Sequence, residues 1–245
     1  MTEKHLENDL EYRKKNFDEN YKEVLEKIEK AANKAGKTKD DIMLLAATKT
    51  VPVELINYAA EKGLSVMGEN RVQEFLSKED LLDKRLTRHF IGHLQKNKVK
   101  QIVGKVSLIH SVDSFDLAQE ISKRSLAAGI CTDILVEVNI GNENSKSGVM
   151  KNETENLVRQ IAKLEGVKVC GLMAIPPICE NDEEISRFFA QMSKLYIDIS
   201  HKNIDNVNMV YLSMGMSSDF EQAILQGANI VRIGSLLFGD RNYNK

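Results

Sequence analysis

Apolar runs of strand type recur along this chain, and each is followed by a run with helical spacing. That alternation is the strongest limit on the fold. The strand-like runs are 42–48, 64–67, 87–91, 106–110, 132–139, 167–173, 207–212 and 230–233. The helix-like runs are 52–62, 70–83, 94–103, 114–128, 150–164, 182–200, 219–226 and a short one near 235–238. The sixth helix is the clearest, with Ile185, Phe188, Phe189, Met192, Leu195, Tyr196 and Ile199 at helical spacing. Strand runs that are apolar throughout suit a parallel sheet buried on both faces. Eight strand-then-helix units in about 200 residues predict a single (β/α)8 TIM barrel. An open doubly wound sheet would need a glycine-rich first turn, and Lys49-Thr50-Val51-Pro52 has no glycine. Residues 5–35 predict a long helix ahead of the barrel. Val24, Leu25, Ile28, Ala31 and Ala32 share one face of it, and Gly36 is available to end it. The expected organisation is one domain over 1–245, with the N-terminal helix in 1–36 and the barrel in 40–240.

Composition narrows the function classes. A formal net charge of -2 gives no electrostatic reason for nucleic-acid binding. The opening Met1-Thr2-Glu3-Lys4-His5 is polar and lacks the apolar stretch of a secretory signal. No apolar run approaches membrane-span length. Cys131, Cys170 and Cys179 are odd in number and widely spaced, so they read as free thiols in a reducing compartment rather than as a disulfide frame or zinc site. A cytoplasmic protein with no membrane and no nucleic-acid partner is expected.

In such a barrel all eight strands end on one face, where the chemistry gathers. Lys49 closes the first strand, in Leu44-Leu45-Ala46-Ala47-Thr48-Lys49-Thr50. A lysine there can form a Schiff base with an aldehyde; an ordinary solvated lysine is the alternative. Gly68-Glu69-Asn70 follows the second strand, Gly92-His93 the third and Ser111-Val112-Asp113-Ser114 the fourth. Asn139 and Ser145-Lys146-Ser147-Gly148 follow the fifth, and Met173 closes the sixth. Phosphate sites of these barrels often form after strands seven and eight. The corresponding loops are Ser213-Met214-Gly215-Met216-Ser217-Ser218 and Gly234-Ser235, and each opens a helix. Ser218-Asp219-Phe220-Glu221 has the capping-box pattern. Together the loops make a phosphate cup, or simply tight turns. Arg232 alternates with Val231 and Ile233, so it faces away from them, toward the barrel mouth. Arginine only donates hydrogen bonds. Opposite a pyridine nitrogen it would keep that nitrogen unprotonated and weaken the ring as an electron sink. An ion pair with Glu137 or Asp240 is the structural alternative. His89 and His93 flank a strand end, so a helical zinc pair is not formed; His89 reads as structural and His93 as lining the site.

Taken in order, several segments resemble the pyridoxal phosphate homeostasis protein family. They are Lys49 after its strand, Met67-Gly68-Glu69-Asn70 with Gln73-Glu74, His89-Phe90-Ile91-Gly92-His93-Leu94-Gln95 and Ile109-His110-Ser111-Val112-Asp113-Ser114. Further on come Val138-Asn139, Ser145-Lys146-Ser147-Gly148, Gly171-Leu172-Met173, Leu212-Ser213-Met214-Gly215-Met216-Ser217 and Val231-Arg232-Ile233-Gly234-Ser235. The resemblance spans roughly residues 40–240, and its specificity lies in the ordered set rather than in any one segment. It implies a barrel like that of alanine racemase, with pyridoxal 5′-phosphate (PLP) held as a Schiff base on Lys49. It also implies a phosphate on Ser217, Gly234 and Ser235, with Arg232 and Asn70 nearby. Thr48 stands where the family often has serine, Arg88 where it often has tryptophan, Ser218 for a frequent aspartate and Ser235 for a frequent threonine. The Arg88 change puts an aromatic wall in doubt, not the cofactor.

The function so implied is non-catalytic: buffering or delivery of PLP, with an influence on amino-acid and keto-acid balance. A racemase of the alanine type needs a second base, a tyrosine supplied from another domain. The chain stops about a dozen residues after the eighth strand, and its tyrosines offer no clear substitute, Tyr211 and Tyr243 being nearest in sequence. A weak PLP enzyme such as an amino-acid racemase is the alternative, and a cofactor-free aldolase a more distant one. PLP-dependent apo-enzymes are the implied recipients, and a monomer is expected.

Overall fold

Nine parallel strands form among the residues described, 3–143 and 146–239 of a computed structural model. They are β1 (Met43–Ala47), β2 (Val66–Glu69), β3 (Thr87–Phe90), β4 (Leu108–Val112), β5 (Thr132–Asn139), β6 (Val149–Met150), β7 (Val167–Ala174), β8 (Val207–Ser213) and β9 (Ile230–Ile233). Eight of them close into a ring, β1-β2-β3-β4-β5-β7-β8-β9, with β9 pairing back to β1 and β6 a two-residue addition beside β5. The (β/α)8 barrel expected from the alternation is the fold observed.

Packing explains why the strand runs are apolar on every residue. Leu45, Val66, Leu108, Leu135 and Ile230 belong to one buried cluster, with Ile91, Cys170 and Met173. Their chain neighbours Ala46, Met67, Ile109, Val136 and Val231 belong to a second, larger cluster with the helices. Successive side chains therefore fill the barrel interior and the layer beneath the helices in turn. At Gly171 the ladder of β5, β7 and β8 shifts register. A Cβ there would lie 1.8 Å from the Tyr211 carbonyl oxygen, so only glycine lets β7 and β8 approach.

The helices are α1 (Glu3–Lys34), α2 (Val53–Glu61), α3 (Val72–Lys78), α4 (Phe115–Ala127), α5 (Thr154–Ile161), α6 (Asp182–Ser200), α7 (Phe220–Leu225) and α8 (Ser235–Phe238). Ser114 and Asn181 cap α4 and α6, each accepting a backbone amide with its side chain. The helix expected at 94–103 is instead a 3-10 stretch, Lys96–Gln101. Val99 within it and Ile102 just after it are buried and three apart, a spacing that a three-residue turn stacks on one side. β4 runs two residues later than expected, because His110 and Ser111 are polar yet buried in the strand.

Along α1, Phe17, Val24, Ile28, Ala31 and Ala32 are buried, whereas Leu25, expected on the same face, is exposed. Phe17 stacks on Tyr21 and Phe238, with ring centroids 5.3 and 5.5 Å away. This places α1 against α7 and α8, the helices that follow the last two barrel loops. No described helix is long and apolar enough to cross a membrane.

Candidate functional site

β1 delivers Lys49 to the rim. Met43, Leu45 and Ala47 face the interior, and Lys49, half-buried, keeps that parity just past the strand end. Thr48 has the opposite parity and is fully buried. Its hydroxyl donates to Glu69 Oε1 at 2.7 Å, across to β2. Lys78 reaches in from α3. Its Nζ donates to the Thr48 carbonyl (3.0 Å), to Glu69 Oε1 (2.9 Å) and to Glu74 Oε1 (2.7 Å). Glu74 Oε1 also accepts the Thr50 amide at 2.5 Å. Burial pushes the Glu69 carboxyl up, while Lys78 and Thr48 pull it back. Lys78 carried no expectation from the sequence, although its i,i+4 spacing from Glu74 is a readable signal.

A polar layer lies inside the barrel. Arg232 pairs in register with the interior-facing Leu45, and it is 5% exposed. The inward orientation expected from alternation is therefore met. Its guanidinium donates from Nη1 to Ser213 Oγ (2.8 Å) and from Nη2 to the Ala174 carbonyl (3.0 Å). Ser213 Oγ also lies 3.0 Å from His110 Nδ1, and His110 Nε2 lies 3.0 Å from His89 Nδ1. Arginine cannot accept, so Ser213 Oγ accepts from Arg232 and keeps a hydrogen and a second lone pair for His110 Nδ1. The two imidazoles then run in one of two concerted directions: Ser213 to His110 to His89, or His89 to His110 to Ser213. Both imidazoles are neutral, since burial lowers His89 to about 4 and His110 well below its usual value. The structural reading of His89 fits this chain of bonds. The exposed His93 takes no part in it.

The ion-pair alternative for Arg232 is not formed with Glu137, for the described residues hold no such pair within 4.0 Å. Asp240 lies outside the described residues. Burial lowers the Arg232 guanidinium to about 10, with Glu137 and Asp219 opposing that drop. Burial and the charge of Asp113 push Glu137 up to about 7, against the pull of Arg232.

The last two loops meet at Ser217. Its Oγ accepts the backbone amides of Gly234 (3.3 Å) and Leu236 (3.4 Å). Gly234 in turn backs onto β1: a Cβ there would lie 3.2 Å from the Ala47 carbonyl oxygen, two residues before Lys49. The capping box expected at Ser218 does not form. Asp219 precedes α7 instead, and its carboxylate accepts the Met216 amide at 2.6 Å, which closes the turn 216–219. Ser235 is exposed at the start of α8. Asn70 directly follows Glu69, and its Oδ1 is buried with no hydrogen-bond partner among the described residues; Ser111 Oγ is in the same state.

Lys49 and Asn70 are chain neighbours of the bonded pair Thr48 and Glu69, and Gly234 joins Ser217 to Ala47 of the same first strand, while Arg232 and Ser213 lie in the interior layer. Asn139 serves its own loop, with its amide bonded to Glu143 and Lys146. Met173 and Met214 are packing residues. Ser145 and Tyr243 lie outside the described residues.

Fold and rim together define a barrel of the alanine racemase type with a lysine at its first strand, and comparison with known proteins agrees. The family model described as alanine racemase, N-terminal domain, matches residues 15–242. A pyridoxal phosphate homeostasis protein of Aquifex aeolicus is 50% identical over 90% of this chain and 96% of its own. The crystal structure of an unknown protein from Bifidobacterium adolescentis superposes with a TM-score of 0.89 at 34% identity, covering 93% of this chain and 96% of that one. PipY of Synechococcus elongatus PCC7942, in a structure with PLP bound, gives a TM-score of 0.75 at 31% identity, covering 81% of this chain and 93% of its own. The chain belongs to the pyridoxal phosphate homeostasis protein family.

Proposed function

We propose that this chain binds PLP at the mouth of its barrel, with Lys49 as the covalent anchor, and that it holds and releases the cofactor rather than turning over a substrate. The observation that carries the reading is the meeting of the Gly234 and Leu236 amides at Ser217, against the strand that presents Lys49. Backbone amides and a hydroxyl suit a phosphate. The PLP-bound structure of the relative PipY supports the same ligand.

When bound, PLP supplies an aldehyde carbon that an amine can join with loss of water and that a second amine can reclaim. Ser217, Gly234 and Ser235 would hold the phosphate, while the unpartnered Asn70 Oδ1, an acceptor, would suit a donor group of the cofactor rather than its phosphate. Arg232, fixed by Ser213 and Ala174, stays charged and donates only. It would keep a pyridine nitrogen unprotonated, which disfavours carbanion chemistry and suits a carrier. The naming of the relatives as homeostasis proteins points the same way. A cytoplasmic monomer that exchanges PLP with apo-enzymes is the fullest form of the proposal.

The test is the visible spectrum of the purified protein with added PLP, then borohydride reduction and peptide mapping. A band near ~420 nm and a pyridoxyl group on Lys49, both lost in Lys49→Ala, are expected. No trapped Lys49 would break the cofactor assignment. Racemase turnover of about 1 per second or more would replace the carrier by an enzyme.

A further inference from the structure

We propose that Glu74 and Lys78 are positioning residues for Lys49. They clamp the main chain on both sides of it from outside the barrel, so that its amine meets an aldehyde in one place. The inference rests on the proposed role of Lys49 as anchor.

All three ammonium donors of Lys78 are used, and one of them grips the carbonyl of Thr48, the residue before Lys49. Glu74 Oε1 bridges Lys78 to the amide of Thr50, the residue after it. The Lys49 carbonyl is itself taken by Thr50 Oγ1 at 2.6 Å. Thr50 sits at φ +65°, a left-handed conformation that a β-branched residue adopts only when its surroundings impose it. The Lys78 side chain is 10% exposed and that of Glu69 fully buried. A charge pair so placed is a poor source of stability compared with apolar packing. Its geometry is spent on the two peptides that flank Lys49. The clamp lies beneath α3, on the outer side of the strands, and strand parity then turns the Lys49 side chain to the inner side.

The covalent step being positioned balances without a further reagent. The Lys49 nitrogen forms a carbon–nitrogen double bond to the aldehyde carbon, and the aldehyde oxygen leaves as water.

The full chain, with PLP as the probe, tests this through two readouts: the rate at which borohydride fixes a pyridoxyl group on Lys49, and the melting temperature. Glu74→Ala frees the Thr50 amide and is expected to slow fixation by about tenfold or more. Glu74→Gln keeps an acceptor oxygen and is expected to stay within about threefold of wild type. Thr50→Gly removes the left-handed strain, so its melting temperature should hold or rise while its fixation slows. A clamp that served only stability would show the reverse, with fixation unchanged. If wild type is fixed at Lys49 and either Glu74→Ala or Thr50→Gly matches its rate, the positioning role is overturned alone. If wild type is not fixed at Lys49, the anchor assignment falls, and the positioning role with it.

Discussion

At the scale of single residues, Glu137 is a buried carboxyl whose charge turns over near neutral pH. It sits 7% exposed on the inward parity of β5. Its pKa is raised from 4.5 to about 7, first by burial, then by Asp113, with Arg232 opposing. A raised pKa means that the folded state holds the proton more tightly than the unfolded state. The associated stability is complete below about pH 4.5 and is lost as pH rises through about 7. Glu137→Gln should remove that loss, so its advantage over wild type should grow from nothing near about pH 4 to as much as about 3 kcal/mol near about pH 8. Urea midpoints at the two pH values measure it; a constant difference would show that Glu137 does not titrate as described. The inward setting of Arg232 was legible in the sequence, because strand alternation assigns a face to every residue. The partners Ser213 and His110 were not, because they come from two other strands and share no spacing with Arg232. Thr48 and Glu69 meet through strand pairing, and local pattern does not encode register.

Among the elements, α1 shows how a helix outside the barrel bears on its rim. Phe17 is fully buried between Tyr21, Tyr58 and Phe238. Asn20 reaches the Leu237 carbonyl on α8 at 3.3 Å. Phe17→Ala should cost about 3–5 kcal/mol in urea denaturation, the range for a large buried ring replaced by a cavity. A loss under about 1 kcal/mol would mean that α1 is only loosely docked. The order of the eight ring strands and of the helices could be read from apolar periodicity, with most ends within two residues. The run 70–83 overshoots the end of α3 (Val72–Lys78), the run 150–164 overshoots both ends of α5 (Thr154–Ile161), and the two-residue β6 went unread. Other departures have physical causes. Lys96–Gln101 offers too few apolar positions for an α-helical face. The Ser218 pattern forms no cap: Asp219 is the residue that precedes α7, its carboxylate takes the Met216 amide, and the Ser218 hydroxyl turns to that same carboxylate. Leu25 lies one position off a stripe that Val24 and Ile28 already fill.

For the whole molecule, one buried cluster runs from Phe17 on α1 to Leu237 on α8. The chain should therefore unfold in a single transition, with equal calorimetric and van't Hoff enthalpies. Two resolved transitions would separate α1 from the barrel. Barrel closure was legible only as a count of eight strand–helix units; that β9 pairs with β1 is a property of the ring. That pairing sets Lys49, after the first strand, beside Gly234, after the last. The two halves of the rim thus come from the first and last strands of the barrel. During synthesis the first strand leaves the ribosome long before the last, so on the proposed reading Lys49 waits for the phosphate side of its pocket. Tight retention of cofactor would then begin only when the ring closes.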